Sequence, residues 1–338
     1  MSNRPKIKDI AATVGVSSAT VSRALTGSGL VAEPTLTKIR EAAIQLRYRP
    51  NVNARNLRTQ KSMSILIVVR DIGNPFYLEV FKGAEHMARA AGYSVLMGNS
   101  EGDPDRETEY FDMLRDGHAD GMILLTGQVP QQIRESGFSD DNVVVALEMI
   151  EEARIPQILI DNKSAAKTAV NHLISLGHIN IAHVTGPIPE KMSALRLDGY
   201  LQAMSDAGIP VCQDYIAPGD FTLRGGEEAA RKLIELPTPP SAIFAANDEM
   251  AFGIIREAHR KKLNVPSDLS VVGFDDIFLS GAFLPSLTTI CQPCLEVGQR
   301  SMTTLLRMLD GLEVSNEPTT LSTNLVVRES TAPPTKQI

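Results

Sequence analysis

Cysteine is scarce in this chain: Cys212, Cys291 and Cys294 are the three among 338 residues. An odd, sparse set excludes a disulfide framework and fits a reducing compartment. No apolar run reaches the roughly 20 residues that a bilayer demands, and the opening MSNRPKIKDI lacks the apolar core of a secretion signal. These absences predict a cytoplasmic protein without a membrane partner. The six histidines are scattered, and none sits in a nucleophile pattern with a serine or a carboxylate. GGEEAARKLIEL lacks phosphate-loop spacing. CQPC at 291–294 has no second Cys/His pair at zinc-finger distance. No enzyme, metal or cofactor is expected.

What is present is unevenly charged. Residues 1–61 hold eleven Lys or Arg against three Asp or Glu, whereas the rest holds 22 against 37, so a +8 segment is joined to a −15 remainder. A polyanion partner is therefore expected for the first part alone. That part also has helical periodicity: Ile7, Ile10, Ala11 and Val14 share one face, and Gly15 follows as a residue able to close a helix. Ser17 is placed to cap a second helix, with Val21 and Leu25 inward and Ser18, Ala19, Ser22 and Arg23 outward. A third helix is predicted from Glu33 to Leu46, with Pro34 in its first turn. Lys6 and Ala32 stand where good caps for the first and third helices are missing, at about 1 kcal/mol each.

Three short helices of this kind make a helix-turn-helix, whose second helix enters a major groove. IKDIAATVGVSSATVSRAL followed by YRPNVNARNL resembles the headpiece of lactose-repressor-family transcription factors. The resemblance implies that Ser18 and Ala19 select bases and that Arg23 meets guanine, whose two acceptors suit a planar fork. Ser17, Thr20 and Ser22 are expected at the same surface, Thr20 and Ser22 on phosphates. It further implies a hinge helix in residues 50–61 that orders on DNA, with Leu57 wedged into a base step and Asn51, Arg55 and Arg58 near it. A passive linker is the alternative there.

From Ser64 the pattern becomes apolar strands alternating with helices, in two series that break near Asp161 to Ser164. Such runs specify parallel sheets covered on both faces, here two doubly wound α/β lobes. DIGNPFY, DGMILL, RLDGYLQAM, FAANDEMAFG, VPSDLSVVGFDD, LTTICQP and VVRES again resemble the lactose-repressor family, whose core is similar to periplasmic sugar-binding proteins. The expected division is a headpiece at 1–49, a hinge at 50–61 and a core at 62–330. Lobe 1 takes about 62–161 and 293–320, and lobe 2 about 162–292 and 321–330. Paired hinges imply a homodimer; Val80, Ala84 and Met87 offer one helix face for it, and no terminal leucine heptads suggest a tetramer.

Ligands of such folds bind beyond strand ends, in the cleft between lobes. The resemblance implies Arg196 and Asp275 there, a guanidinium and a carboxylate across the cleft able to hold a vicinal diol. Asn247 joins them, and Asp248 either joins or braces the loop. Phe76, Tyr77 and Phe221 suit a flat heterocycle, or else only pack the core. Glu190 and Met192 stand where purine-responsive relatives carry arginine and threonine, which counts against a purine. The chain is most similar to cytidine-responsive members of the family. That implies cytidine as effector, Glu148 and Met149 near the base, and joint action with the cyclic-AMP receptor protein. A sugar such as ribose remains the alternative effector, and a binding protein with a vestigial headpiece the alternative class.

Overall fold

The protein is described by a computed structural model covering residues 5–25, 30–48, 61–127, 129–131, 142–150, 154–188 and 190–335. Contacts divide the chain into two compact units, Met1–Lys61 and Ser62–Ile338. Asn51, Arg55, Leu57 and Arg58 lie outside the described residues.

The first unit is three helices, α1 (Ile7–Val14), α2 (Ser18–Leu25) and α3 (Glu33–Gln45). Gly15 closes α1 at φ 75°, its amide donating to the Ala11 carbonyl at 2.9 Å. The start of α1 is better held than its sequence suggests, because the Asp9 carboxylate accepts from the Lys6 amide at 2.7 Å. Ala32 gives α3 no side-chain cap. Ile10, Ala11, Val21, Ala24, Ile39 and Ala42 are buried together, with Val14, Leu25, Leu36 and Leu46 packed around them.

The second unit holds two six-stranded sheets. The first contains β1 (Ser64–Val69), β2 (Ser94–Asn99), β3 (Gly121–Leu124), β4 (Val143–Ala146) and β5 (Gln157–Ile160), with α4 (Phe76–Ala90) and α5 (Pro104–Arg115) between strands. Ile65, Ile67 and Val69 of β1 face one buried layer, and Leu66 and Val68 the other. Burial on both faces is why the strand reads as an unbroken apolar run. The chain then crosses at Asp161 into α6 (Asn162–Ser175), β6 (Ile181–Thr185), α7 (Lys191–Asp206), β7 (Ile216–Pro218), α8 (Leu223–Ile234), β8 (Ala242–Ala245), α9 (Asp248–Arg260), β9 (Ser270–Asp275) and β10 (Thr288–Cys291). It returns at residues 292–293 into α10 (Cys294–Leu309) and β11 (Thr319–Leu321), which pairs with β5. A last crossing at 322–323 leads to β12 (Asn324–Val326). Strand order is β11-β5-β4-β3-β1-β2 and β12-β10-β9-β8-β6-β7. All pairs are parallel except β10–β12, an antiparallel edge that the alternating pattern did not announce. No helix among the described residues is long and apolar enough to cross a membrane.

The face of α4 expected to pair two chains is used inside one chain. Val80 and Ala84 are fully buried, and α4 lies directly on α10. A Cβ on Gly83 would overlap the Leu295 carbonyl, and one on Gly298 the Val80 carbonyl. The two backbones approach through reciprocal glycines. Gly83→Ala must push these helices apart, and is expected to lower core stability by about 1–3 kcal/mol. A urea melt with an unchanged midpoint would contradict this.

Candidate functional site

A cavity opens between the two sheets, where the carboxyl ends of parallel strands and the starts of helices converge. Its internal volume is about 80 Å³, small against the several hundred Å³ usual for small-molecule sites. Arg70 and Asp71 reach it from the end of β1, Asn74, Phe76 and Tyr77 from the start of α4, and Leu147 and Glu148 from the end of β4. The second lobe supplies Met192 and Arg196 from α7, Asp220 to Thr222 after β7, Asn247 after β8 and Asp275 at the end of β9. Gln292 enters from the second crossing.

Arg196 is 3% exposed and heavily engaged. Its Nε donates to Asn162 Oδ1 at 2.9 Å, its Nη1 to the Ala246 carbonyl at 2.5 Å, and its guanidinium lies 3.7 Å above the Phe274 ring. Among the described residues none takes a bond from Nη2. Asp275 sits on the same lobe, so the pair does not face across the cleft as expected. Sequence order cannot say which wall a helix residue joins. Burial drives the Asp275 pKa well up, Arg196 opposes this, and Asp248 adds to it. Gln292 donates to Asp275 Oδ1 at 2.7 Å.

Asp248 braces rather than lines. It accepts from the Ile277 amide at 3.0 Å and the hydroxyls of Ser280 at 2.6 Å and Thr289 at 2.5 Å. Asn247 does line the cavity but also caps α9, accepting from the Met250 amide at 3.0 Å and donating to the Phe221 carbonyl at 2.9 Å. That bond holds Phe221 at φ 68°, with its ring over the bare backbone of Gly186. On the opposite wall Phe76 and Tyr77 meet edge to face, centroids 5.3 Å apart. Burial raises the Tyr77 phenol, and Glu148 and Asp275 raise it further.

Glu148 is buried in the cavity wall, while Met149 beside it is 39% exposed and outside the lining. Successive residues leave a strand end in opposite directions, so the expectation for Met149 is not met. Sequence reading missed Arg70 and Gln292, which directly follow strands, and Asn74 and Asp220, which lie two residues from a helix start and a strand end. Arg70 forms an ion pair with Glu190, the residue preceding α7, so one salt bridge joins the two lobes at the cavity.

In the first unit Ser17 caps α2, its Oγ accepting from the Thr20 amide at 3.1 Å and bonding the Thr20 hydroxyl at 2.9 Å. Ser18, Ala19 and Arg23 are exposed on one side of α2, with Thr20 and Ser22 half-buried beside them.

The description "Bacterial regulatory proteins, lacI family" matches residues 6–51, and a periplasmic binding protein-like domain matches 170–331. The chain is 38% identical over 326 residues to the HTH-type transcriptional repressor CytR of Escherichia coli (strain K12), covering 96% of each. The chain belongs to the lacI family. This lacI-family regulator is also 36% identical to the catabolite control protein A of Priestia megaterium, over 96% of this chain and 98% of that one. A crystal structure of the lac repressor dimer bound to operator and the anti-inducer ONPF superposes with a TM-score of 0.87 at 27% identity. It covers 98% of this chain and 100% of that one. As a member of the family the protein is a DNA-binding transcriptional regulator.

Proposed function

We propose that this lacI-family regulator is a dimeric repressor that responds to a nucleoside, with cytidine as effector. The observation that carries this reading is one cavity with aromatic walls, Phe76 and Tyr77 against Phe221, beside the buried Arg196 and Asp275. Aromatic faces suit a flat base. A donor and an acceptor next to them suit the diol of a ribose. Similarity to the CytR repressor supports the same choice and suggests joint action with the cyclic-AMP receptor protein; equal operator affinity with and without that activator would count against it. Ligand binding shifts the lobes, and residues 50–61, with Asn51, Arg55 and Leu57, carry the shift to the DNA. The coupling is reciprocal, so operator changes effector affinity by the same factor.

Calorimetric titration with cytidine, adenosine and ribose tests the effector. Heat with cytidine and silence with ribose is the expected result. Ribose binding alone would reduce the three aromatics to packing. For the DNA reader, Arg23→Ala should cost about 1–3 kcal/mol of operator discrimination. Competition between operator and unrelated DNA measures it, and an unchanged ratio would remove Arg23 from base reading.

A further inference from the structure

One carboxylate oxygen of Glu148, in the cavity wall, has no hydrogen-bond partner among the described residues. Glu148 follows β4, is 4% exposed, and its Oε2 is buried without a hydrogen bond. Gly127 makes room for it, since a Cβ there would come within 2.9 Å of Oε2. Buried polar atoms are nearly always bonded, so an orphan on a ligand cavity is held for something that arrives. The nearby cations are already engaged: Arg70 pairs with Glu190, and Arg196 donates to Asn162 and Ala246. Among the described residues no ion pair joins Glu148 to a cation.

The groups around it are Arg70 after β1, Tyr77 on α4, Glu107 on α5, Glu190 and Arg196 at α7, and Asp275 at the end of β9. Burial pushes the Glu148 pKa up to about 7, with Arg196 and Arg70 pulling the other way. Near neutral pH the group therefore exchanges readily between its two forms, and only the neutral acid presents a donor and an acceptor side by side.

We infer that Glu148 is the base-reading residue of the effector site, binding as a neutral acid. Its hydroxyl donates to an unprotonated ring nitrogen, and its carbonyl oxygen accepts from the adjacent exocyclic amine. This rests on the nucleoside reading and deepens it. The ligand edge required is an amidine-like pair, such as N3 and the 4-amino group of cytosine. An ionised Glu148 sets a lone pair against the lone pair of that nitrogen, so above neutrality the site takes a proton from water as it binds. A sugar hydroxyl donates and accepts equally well and needs no such proton.

The experiment is calorimetry of the full-length protein with cytidine from about pH 6 to about pH 8.5, in buffers of different ionisation heat. Wild-type affinity should be level below pH 7 and fall by up to about tenfold per unit above it, with proton uptake approaching one per site. Glu148→Gln carries its donor and acceptor permanently. It should bind cytidine with one affinity across the range, and more tightly than the wild type at the alkaline end. Level wild-type affinity, or a slope that persists in Glu148→Gln, overturns the assignment while the nucleoside reading stands. Folded protein that binds no nucleoside at any pH overturns both.

Discussion

An Arg196→Ala protein should lose core stability and its effector together, because each buried acceptor left without its donor costs about 1–3 kcal/mol. Arg196 ties three things at once: the Asn162 side chain at the start of α6, the Ala246 carbonyl after β8, and the face of Phe274. Removing it leaves the Ala246 carbonyl and Asn162 Oδ1 without their donor. It also leaves Asp275 beside Asp248 with no opposing guanidinium. A urea melt should show a lower midpoint, and titration in the absence of urea should show no effector heat. Arg196→Lys keeps the charge but not the planar fork, so it should recover part of the stability and little of the binding. Wild-type stability in Arg196→Ala would mean that the arginine is held only for ligand.

The second large effect belongs to the DNA-reading unit. Among the described residues its core has six buried side chains, three of them alanine. At the usual 0.05–0.15 kcal/mol per residue, a unit of this size has roughly 3–9 kcal/mol in hand. Ile39 is fully buried between α1 and α2, and truncation to alanine removes about 2–5 kcal/mol. Ile39→Ala is therefore expected to unfold much of the headpiece and abolish operator binding. Cytidine titration should be unchanged, since the core unit has its own hydrophobic interior. Parallel gel-shift and calorimetric measurements separate the two readouts. Retained operator binding would show that the headpiece is far more stable than its core suggests.

What was legible in the sequence followed from periodicity. Strands such as Ser64–Val69 declare themselves because both faces are buried, and α1 and α2 because Gly15 and Ser17 mark their ends. The strands β7, β11 and β12 are three residues each, too short for any pattern. Periodicity also identifies a helix face without naming its partner. Val80 and Ala84 were read as facing a second chain, yet Gly83 and Gly298 bring α10 against them. In the cavity, residue types were legible and walls were not: Arg196 and Asp275 share a lobe, and Glu148 turns in where Met149 turns out. The salt bridge of Arg70 with Glu190 joins residues 120 positions apart, beyond the reach of any local rule.

The three crossings between lobes set the order in which a ribosome can deliver a finished protein. The first compact unit, residues 1–61, is the first to emerge in full. Neither sheet of the core has all its strands until residues 319–326 have been added, because β11 and β12 close one edge of each. At about 5–20 residues per second the interval is roughly 15–50 s. Throughout it a nascent chain carries a folded DNA reader on an unfinished sensor. Any message truncated before residue 319 makes that intermediate permanent.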